Sequence, residues 1–79
     1  MTDYTKAIEL NSKDYILYYN RGLAYYQKQM YDRAIADYNK AIDLNPKDYL
    51  SYNNRGLTFY DQKMYDQAIS VKQGDKIKT

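Results

Sequence analysis

The sequence predicts an all-α fold in which antiparallel helix hairpins stack into an α-α superhelix of about two repeats, with incomplete ends. Three observations predict it. Shifted by 34 positions, residues 15–36 match residues 49–70, and residues 3–14 match residues 37–48. Apolar residues recur in steps of three and four, and no segment alternates with a period of two for the length of a strand. A fixed period of this size is typical of architectures in which each unit buries its apolar face against its neighbours.

The repeat also predicts how the chain is organised as one domain. Residues 3–14 correspond to the second helix of a partial repeat, residues 15–48 to a full repeat, and residues 49–70 to a truncated one. Residues 71–79 form a basic polar tail. Because residues 3–70 begin and end inside a second helix, we expect both ends to leave apolar surface uncovered.

Five helices are expected, near residues 2–11, 14–28, 31–44, 48–62 and 65–73. Asn45-Pro46 is typical of a helix start, with Asn45 as the cap and Pro46 in the first turn. Lys28–Met30 and Gln62–Met64 are expected as the connections within the hairpins. After Ser70 the pattern stops, so the last helix should be short or continue with a polar face.

The composition argues against catalysis. The chain has no Cys and no His, which removes thiol chemistry and the commonest general base and metal ligand. No glycine-rich phosphate loop and no nucleophile beside a base is present. Asp32 and Asp37 are expected on the solvent side of a helix. We therefore predict that the protein is not an enzyme and has no cofactor and no metal site.

Charge and hydropathy limit the partners. The net charge of +2 comes from the last nine residues, where three lysines face only Asp75. A nucleic-acid binder more often carries a basic stripe along an ordered face, so no nucleic acid is expected. No apolar run approaches the length of a membrane span, and the amino terminus does not have the order of a secretion signal. A cytoplasmic location and no membrane partner are the default expectation.

The order of Tyr18, Gly22, Tyr25, Tyr31 and Ala34, and its recurrence from Tyr52 onward, resembles the tetratricopeptide repeat. The resemblance covers residues 3–70 and implies one antiparallel hairpin per repeat and a concave inner face. It departs from the family in Arg21 and Arg55, where Leu is common, and in the lack of glycine in the turns. The resemblance implies that ten residues pack between helices: Tyr18, Gly22, Tyr25, Ala34, Tyr38, Ala41, Tyr52, Gly56, Phe59 and Ala68.

The resemblance also implies a peptide-binding groove along the first helix of each repeat. Its predicted residues are Ile16, Tyr19, Asn20, Leu23, Tyr26, Leu50, Asn53, Asn54, Leu57 and Tyr60. Aromatic rings supply contact area at low entropic cost, and Asn amides both donate to and accept from a peptide backbone. The predicted function is a protein–protein interaction scaffold that binds a peptide or a partner helix there. Some members of the family grip acidic peptide termini with lysines, and Tyr19, Leu50 and Asn53 stand where those lysines would be needed. We expect no such binding.

The alternative is a self-associating repeat module. In that hypothesis the incomplete ends of two chains stack on each other, as a swapped dimer, a ring or a fibre. The partner is then a second copy of the chain.

Overall fold

The computed structural model describes the backbone of residues 2–78 and the side chains of residues 3–67. Four helices follow one another: α1 (Thr2–Leu10), α2 (Tyr15–Gln27), α3 (Tyr31–Leu44) and α4 (Tyr49–Lys78). No strand occurs among the described residues. The predicted all-α helical repeat is confirmed. In the described part of the chain, no helix combines the length and the apolar character that a membrane crossing needs.

Helix α3 is the centre of the molecule, because it packs against α2 on one side and against α4 on the other. Its residues Ala34, Tyr38 and Ala41 are completely buried, and Ile42 is nearly so. Steps of three and four place these residues on one stripe of the helix. Of the other described helices, α1 packs on α2 alone, and its Ile8 joins Tyr18 in a small apolar cluster.

Helices α2 and α3 form the hairpin of the first repeat unit, and they approach each other closely at Gly22. A Cβ atom built on Gly22 would lie 2.7 Å from Cε1 of Tyr38. Only a residue without a side chain allows the Tyr38 ring to lie this close to α2 at this point. This close approach explains why a poor helix former stands in the middle of α2.

Helices α2 and α4 each begin after an aspartate that caps them. For α4 this aspartate, Asp48, stands three residues after Asn45, where the sequence suggested the helix start. Asp14 precedes α2, and its carboxylate accepts a hydrogen bond of 3.0 Å from the amide of Ile16. Asp48 precedes α4 and accepts from the amide of Ser51. Asn45 instead ends α3, and its side chain accepts from the amide of Lys47 in the turn. The expectation of Asn45 as the N-cap is wrong, because Asp48 provides the acceptor nearer the helix.

The fourth and fifth predicted helices are one continuous helix, α4, which passes through Gln62–Met64 without a turn. The first unit does turn, although Gln29 must adopt a positive φ of 62° there. That left-handed conformation costs about 1 kcal/mol for a residue other than glycine. In the first unit the burial of α3 offsets this cost. In the second unit Lys72 and Asp75 replace the residues that would be buried, so the helix continues instead.

The continuation of α4 leaves the packing face of its first half open. Tyr52 is 42% exposed and Phe59 is 51% exposed. Nothing lies within 4 Å of a Cβ atom built on Gly56. The prediction that these three residues pack between helices is therefore wrong in this chain, whereas their counterparts Tyr18 and Gly22 are buried. Ala68, the tenth predicted packing residue, lies outside the described side chains.

Candidate functional site

Helices α2 and α4 lie side by side and run in the same direction. The amide of Asn54 donates a hydrogen bond of 3.1 Å to the hydroxyl of Tyr19, and the hydroxyl of Tyr26 donates to a carboxylate oxygen of Asp61. Both bonds join residues 35 positions apart, which is the pattern of two parallel helices in register. The two bonds fix the surface that these helices share.

The predicted groove residues fall into three groups on this surface. Exposed side chains are those of Ile16, Leu50, Asn53, Leu57 and Tyr60. The side chains of Asn20 and Leu23 are half-buried. Ile16 and Leu23 are seven residues apart on α2, as Leu50 and Leu57 are on α4, so that two apolar stripes run along the helices in register.

The remaining three predicted groove residues, Tyr19, Tyr26 and Asn54, hold the helices together. Both donor hydrogens of the Asn54 amide are used, because it also donates to the carbonyl oxygen of Leu50 at 2.8 Å. The idea that Asn54 can donate to a bound peptide is therefore wrong for the side chain as placed. Its side-chain oxygen, Oδ1, makes no hydrogen bond among the described residues, so the side-chain amide retains an acceptor for a ligand.

A buried ion pair joins α2 to α3. The guanidinium of Arg21 donates two hydrogen bonds of 2.8 Å to the carboxylate of Asp37, and this contact raises the pKa of Arg21 above its ordinary value. Asp37 is only 5% exposed, so its expected place on the solvent side was wrong; Asp32 is exposed as expected. The sequence spacing could have predicted this burial, because Asp37 lies three residues after Ala34 and four before Ala41, on the buried stripe of α3.

Sequence reasoning also missed two small residues at the contact between α3 and α4. Ser51 and Thr58 are completely buried and lie seven residues apart on one face of α4. The hydroxyl of Thr58 donates to the carbonyl oxygen of Asn54 at 2.7 Å, which satisfies it within its own helix. Their small size and helical spacing were a usable signal for a close helix contact.

Two tyrosines of the α2–α3–α4 contact hold their protons tightly. Burial raises the pKa of Tyr38 to about 12, and the hydrogen bond to Asp61 raises the pKa of Tyr26 to about 12. The Tyr38 hydroxyl is buried near the hydroxyl of Thr58. The Thr58 hydroxyl donates its hydrogen to the backbone carbonyl oxygen of Asn54 and not to Tyr38. Among the described residues the Tyr38 hydroxyl has no hydrogen-bond partner in good geometry.

Replacing Tyr38 by Phe is expected to raise the free energy of unfolding by about 1 kcal/mol at neutral pH, because an unpaired buried hydroxyl is removed. The pH dependence should change as well. An unfolded chain ionises Tyr38 from its ordinary pKa of 10.0, whereas the folded chain keeps the proton until about 12. The stability that the protonated, buried Tyr38 contributes is therefore full below pH 10 and is lost as the pH rises toward 12.

Urea titrations of wild type and Tyr38→Phe between pH 7 and pH 12 measure both effects. The decline above pH 10 should be shallower in the variant, because position 38 then carries no ionisable hydroxyl. A variant less stable than wild type at pH 7 would mean that the hydroxyl is satisfied after all.

Two other features of the described residues were possible sites: acidic clusters and surface depressions. No group of three acidic, His or Cys side chains lies close enough to hold a metal ion within the part of the chain that could be searched. An open depression of about 350 Å³ lies between the α2–α3 turn and α4, lined by Met30, Tyr31, Asp32, Gln62 and Tyr65 among others. It lies apart from the predicted groove and contains none of its residues.

Comparison with known proteins agrees with this geometry. A family model for the tetratricopeptide repeat matches residues 15–48, which are α2, α3 and the turn before α4. A second tetratricopeptide repeat model matches residues 37–70, so the two matches together extend from residue 15 to residue 70. No significant match was found among curated proteins or among solved structures.

Proposed function

Because the chain belongs to the tetratricopeptide repeat family, whose repeats are generally protein–protein interaction modules, we propose that it is a non-catalytic scaffold with a peptide or helix site. The site is the surface shared by α2 and α4, and we call it the inner face. It consists of Ile16, Asn20, Leu23, Leu50, Asn53, Leu57 and Tyr60.

The observation that carries the proposal is the pair of exposed apolar stripes on a fixed support. Ile16, Leu50 and Leu57 are each almost half exposed, although they are aliphatic. The two hydrogen bonds between α2 and α4 hold the stripes side by side before any ligand arrives. A ligand therefore gains apolar contact without the cost of ordering the receptor.

The chemistry of the inner face favours a ligand with an uncharged apolar side. No Lys or Arg is among its seven residues. Contact area must come from Leu, Ile and Tyr side chains. Polar contacts can come from the side-chain amides of Asn20 and Asn53 and from Oδ1 of Asn54. An amphipathic helix with apolar residues seven apart matches the spacing of both stripes.

The test is a titration of the full chain with two synthetic peptides. Binding is measured by isothermal titration calorimetry or by ¹⁵N chemical-shift changes. One peptide is an amphipathic helix with a leucine stripe, and the other is a short acidic peptide with a free carboxyl terminus. The first is expected to bind with micromolar affinity and to shift the amides of residues 16–23 and 50–60. The acidic peptide should not bind, because the face has no cation to receive it.

Leu57→Glu should weaken binding of the leucine-stripe peptide about tenfold or more, since it buries a charge under the ligand. Leu10→Glu is the matched control, because Leu10 on α1 is also an exposed leucine but lies off the inner face. Equal losses in the two variants, or shifts confined to other helices, would contradict the proposed site.

A further inference from the structure

Helix α4 presents a second surface besides the inner face, formed by Tyr52, Arg55, Gly56 and Phe59, which we call the open face. It corresponds, 34 residues later, to the surface of α2 that α3 covers. In the described part of the chain α4 contacts only α2 and α3, and neither covers Gly56. The hairpin of α2 and α3 therefore shows what kind of helix would fit there.

Arg55 already has most of the geometry of Arg21. The Nη1 atom of Arg21 reaches the hydroxyl of Thr5 at 3.4 Å, and Nη1 of Arg55 reaches the side-chain oxygen of Asn39, the residue equivalent to Thr5, at 2.7 Å. Each guanidinium also lies over the ring of an equivalent tyrosine, Tyr18 or Tyr52. What Arg55 does not have among the described residues is the carboxylate that Arg21 finds in Asp37.

The chain contains that carboxylate on α1. Asp3 and Tyr4 are equivalent to Asp37 and Tyr38, and Asp3 is exposed and forms no ion pair within the described residues. Among the described helices α1 packs only on α2, and none of them lies against its Asp3 side. Arg55 and Asp3, which form no ion pair within the described residues, thus stand at the repeat positions that Arg21 and Asp37 occupy in the α2–α3 pair.

We propose that the open face of α4 in one copy binds α1 of a second copy, with Tyr4 over Gly56 and Asp3 paired with Arg55. The contact repeats the geometry of Tyr38 over Gly22 and of Asp37 with Arg21. It is heterologous, because α1 of the first copy and α4 of the second remain open. The product is an open head-to-tail chain of copies that continues the stack of helices.

The other occupant within the same sequence is the carboxyl-terminal part of a second copy, exchanged as in a swapped dimer. Its residues suit the open face less well. The position equivalent to Asp37 is Val71, which cannot accept from Arg55, and the position equivalent to Tyr38 is Lys72. A lysine in that place would set two cations side by side, so charge complementarity favours α1.

The experiment is sedimentation velocity over a concentration series, with the full chain and two charge-reversed variants. Wild type should show a mean mass that rises with concentration from the 9.4 kDa of one copy and passes two copies without a plateau. Asp3→Arg alone and Arg55→Asp alone should each weaken association at least about tenfold. A mixture of the two variants should recover it, because each open face then meets an α1 of opposite charge.

Gly56→Leu provides a second test that does not touch charge. Leucine is a good helix former in an open place, so circular dichroism should show a monomer at least as stable as wild type. Its association should be lost, because the side chain occupies the position of Tyr4. A wild-type mass that stays at one copy, or an Asp3→Arg chain that associates as wild type does, would overturn the proposal. The second result would assign the contact to the exchanged carboxyl-terminal part.

Discussion

Replacing Arg21 by Ala is expected to lower the free energy of unfolding by about 3 kcal/mol. The reason is less the lost attraction than the carboxylate that remains. Asp37 is 5% exposed and both its oxygens accept from Arg21, so the variant leaves a buried charge without a partner. In a chain of this size the loss lowers the melting temperature by roughly 12–24 °C. Urea unfolding followed by circular dichroism, at a dilution where the chain is monomeric, measures it.

Arg55→Ala is the matched control for this prediction. Arg55 stands at the same place in the repeat, but its one hydrogen bond within the described residues goes to the exposed side chain of Asn39. Its removal should cost less than about 1 kcal/mol in the monomer. The double variant Arg21→Ala with Asp37→Ala should recover part of the loss, because no buried charge remains. Equal costs for the two single arginine variants would contradict this account of the ion pair.

The difference between the two repeat units shows how much of the fold could be predicted from the sequence. The period of 34 residues predicted α2 and α3 closely, because each local preference agrees there with burial of the Ala34–Tyr38–Ala41 stripe. The same period wrongly predicted a break between two helices at Gln62–Met64, where α4 is continuous. A matching turn sequence does not make a turn when the following segment offers no apolar face to bury, and Lys72 and Asp75 offer none.

The candidate site was predictable only as a set of positions. Spacing placed Ile16, Leu23, Leu50 and Leu57 on one side of two helices, and all four are exposed or half-buried. It did not distinguish ligand-facing side chains from those that join the helices, because Tyr19 and Asn54 have the same spacing. That distinction depends on distances between helices far apart in sequence, such as the bond from Asn54 to Tyr19. The ion pair of Arg21 and Asp37 was missed because each charge was judged alone.

Substituting Ala for Gly at positions 22 and 56 is expected to have opposite effects on stability. Neither glycine has a positive φ, so the backbone accepts alanine at both sites, and only the space for a Cβ atom differs. At Gly22 the new atom would meet the completely buried ring of Tyr38 at 2.7 Å. The ring cannot move away, so the hairpin must open slightly. We expect a loss of about 2 kcal/mol in the free energy of unfolding, with the helical preference of alanine already included.

At Gly56 nothing lies within 4 Å of the new atom, and only the helical preference remains. Gly56→Ala should therefore gain about 1 kcal/mol in dilute solution. The two variants differ by one methyl group at equivalent positions, so helix propensity and unfolded-state entropy largely cancel between them. The difference of about 3 kcal/mol then measures whether a second helix covers the glycine. Two variants that are both destabilised would show that α4 folds back over Gly56 after all, and would remove the open face on which binding of a second copy depends.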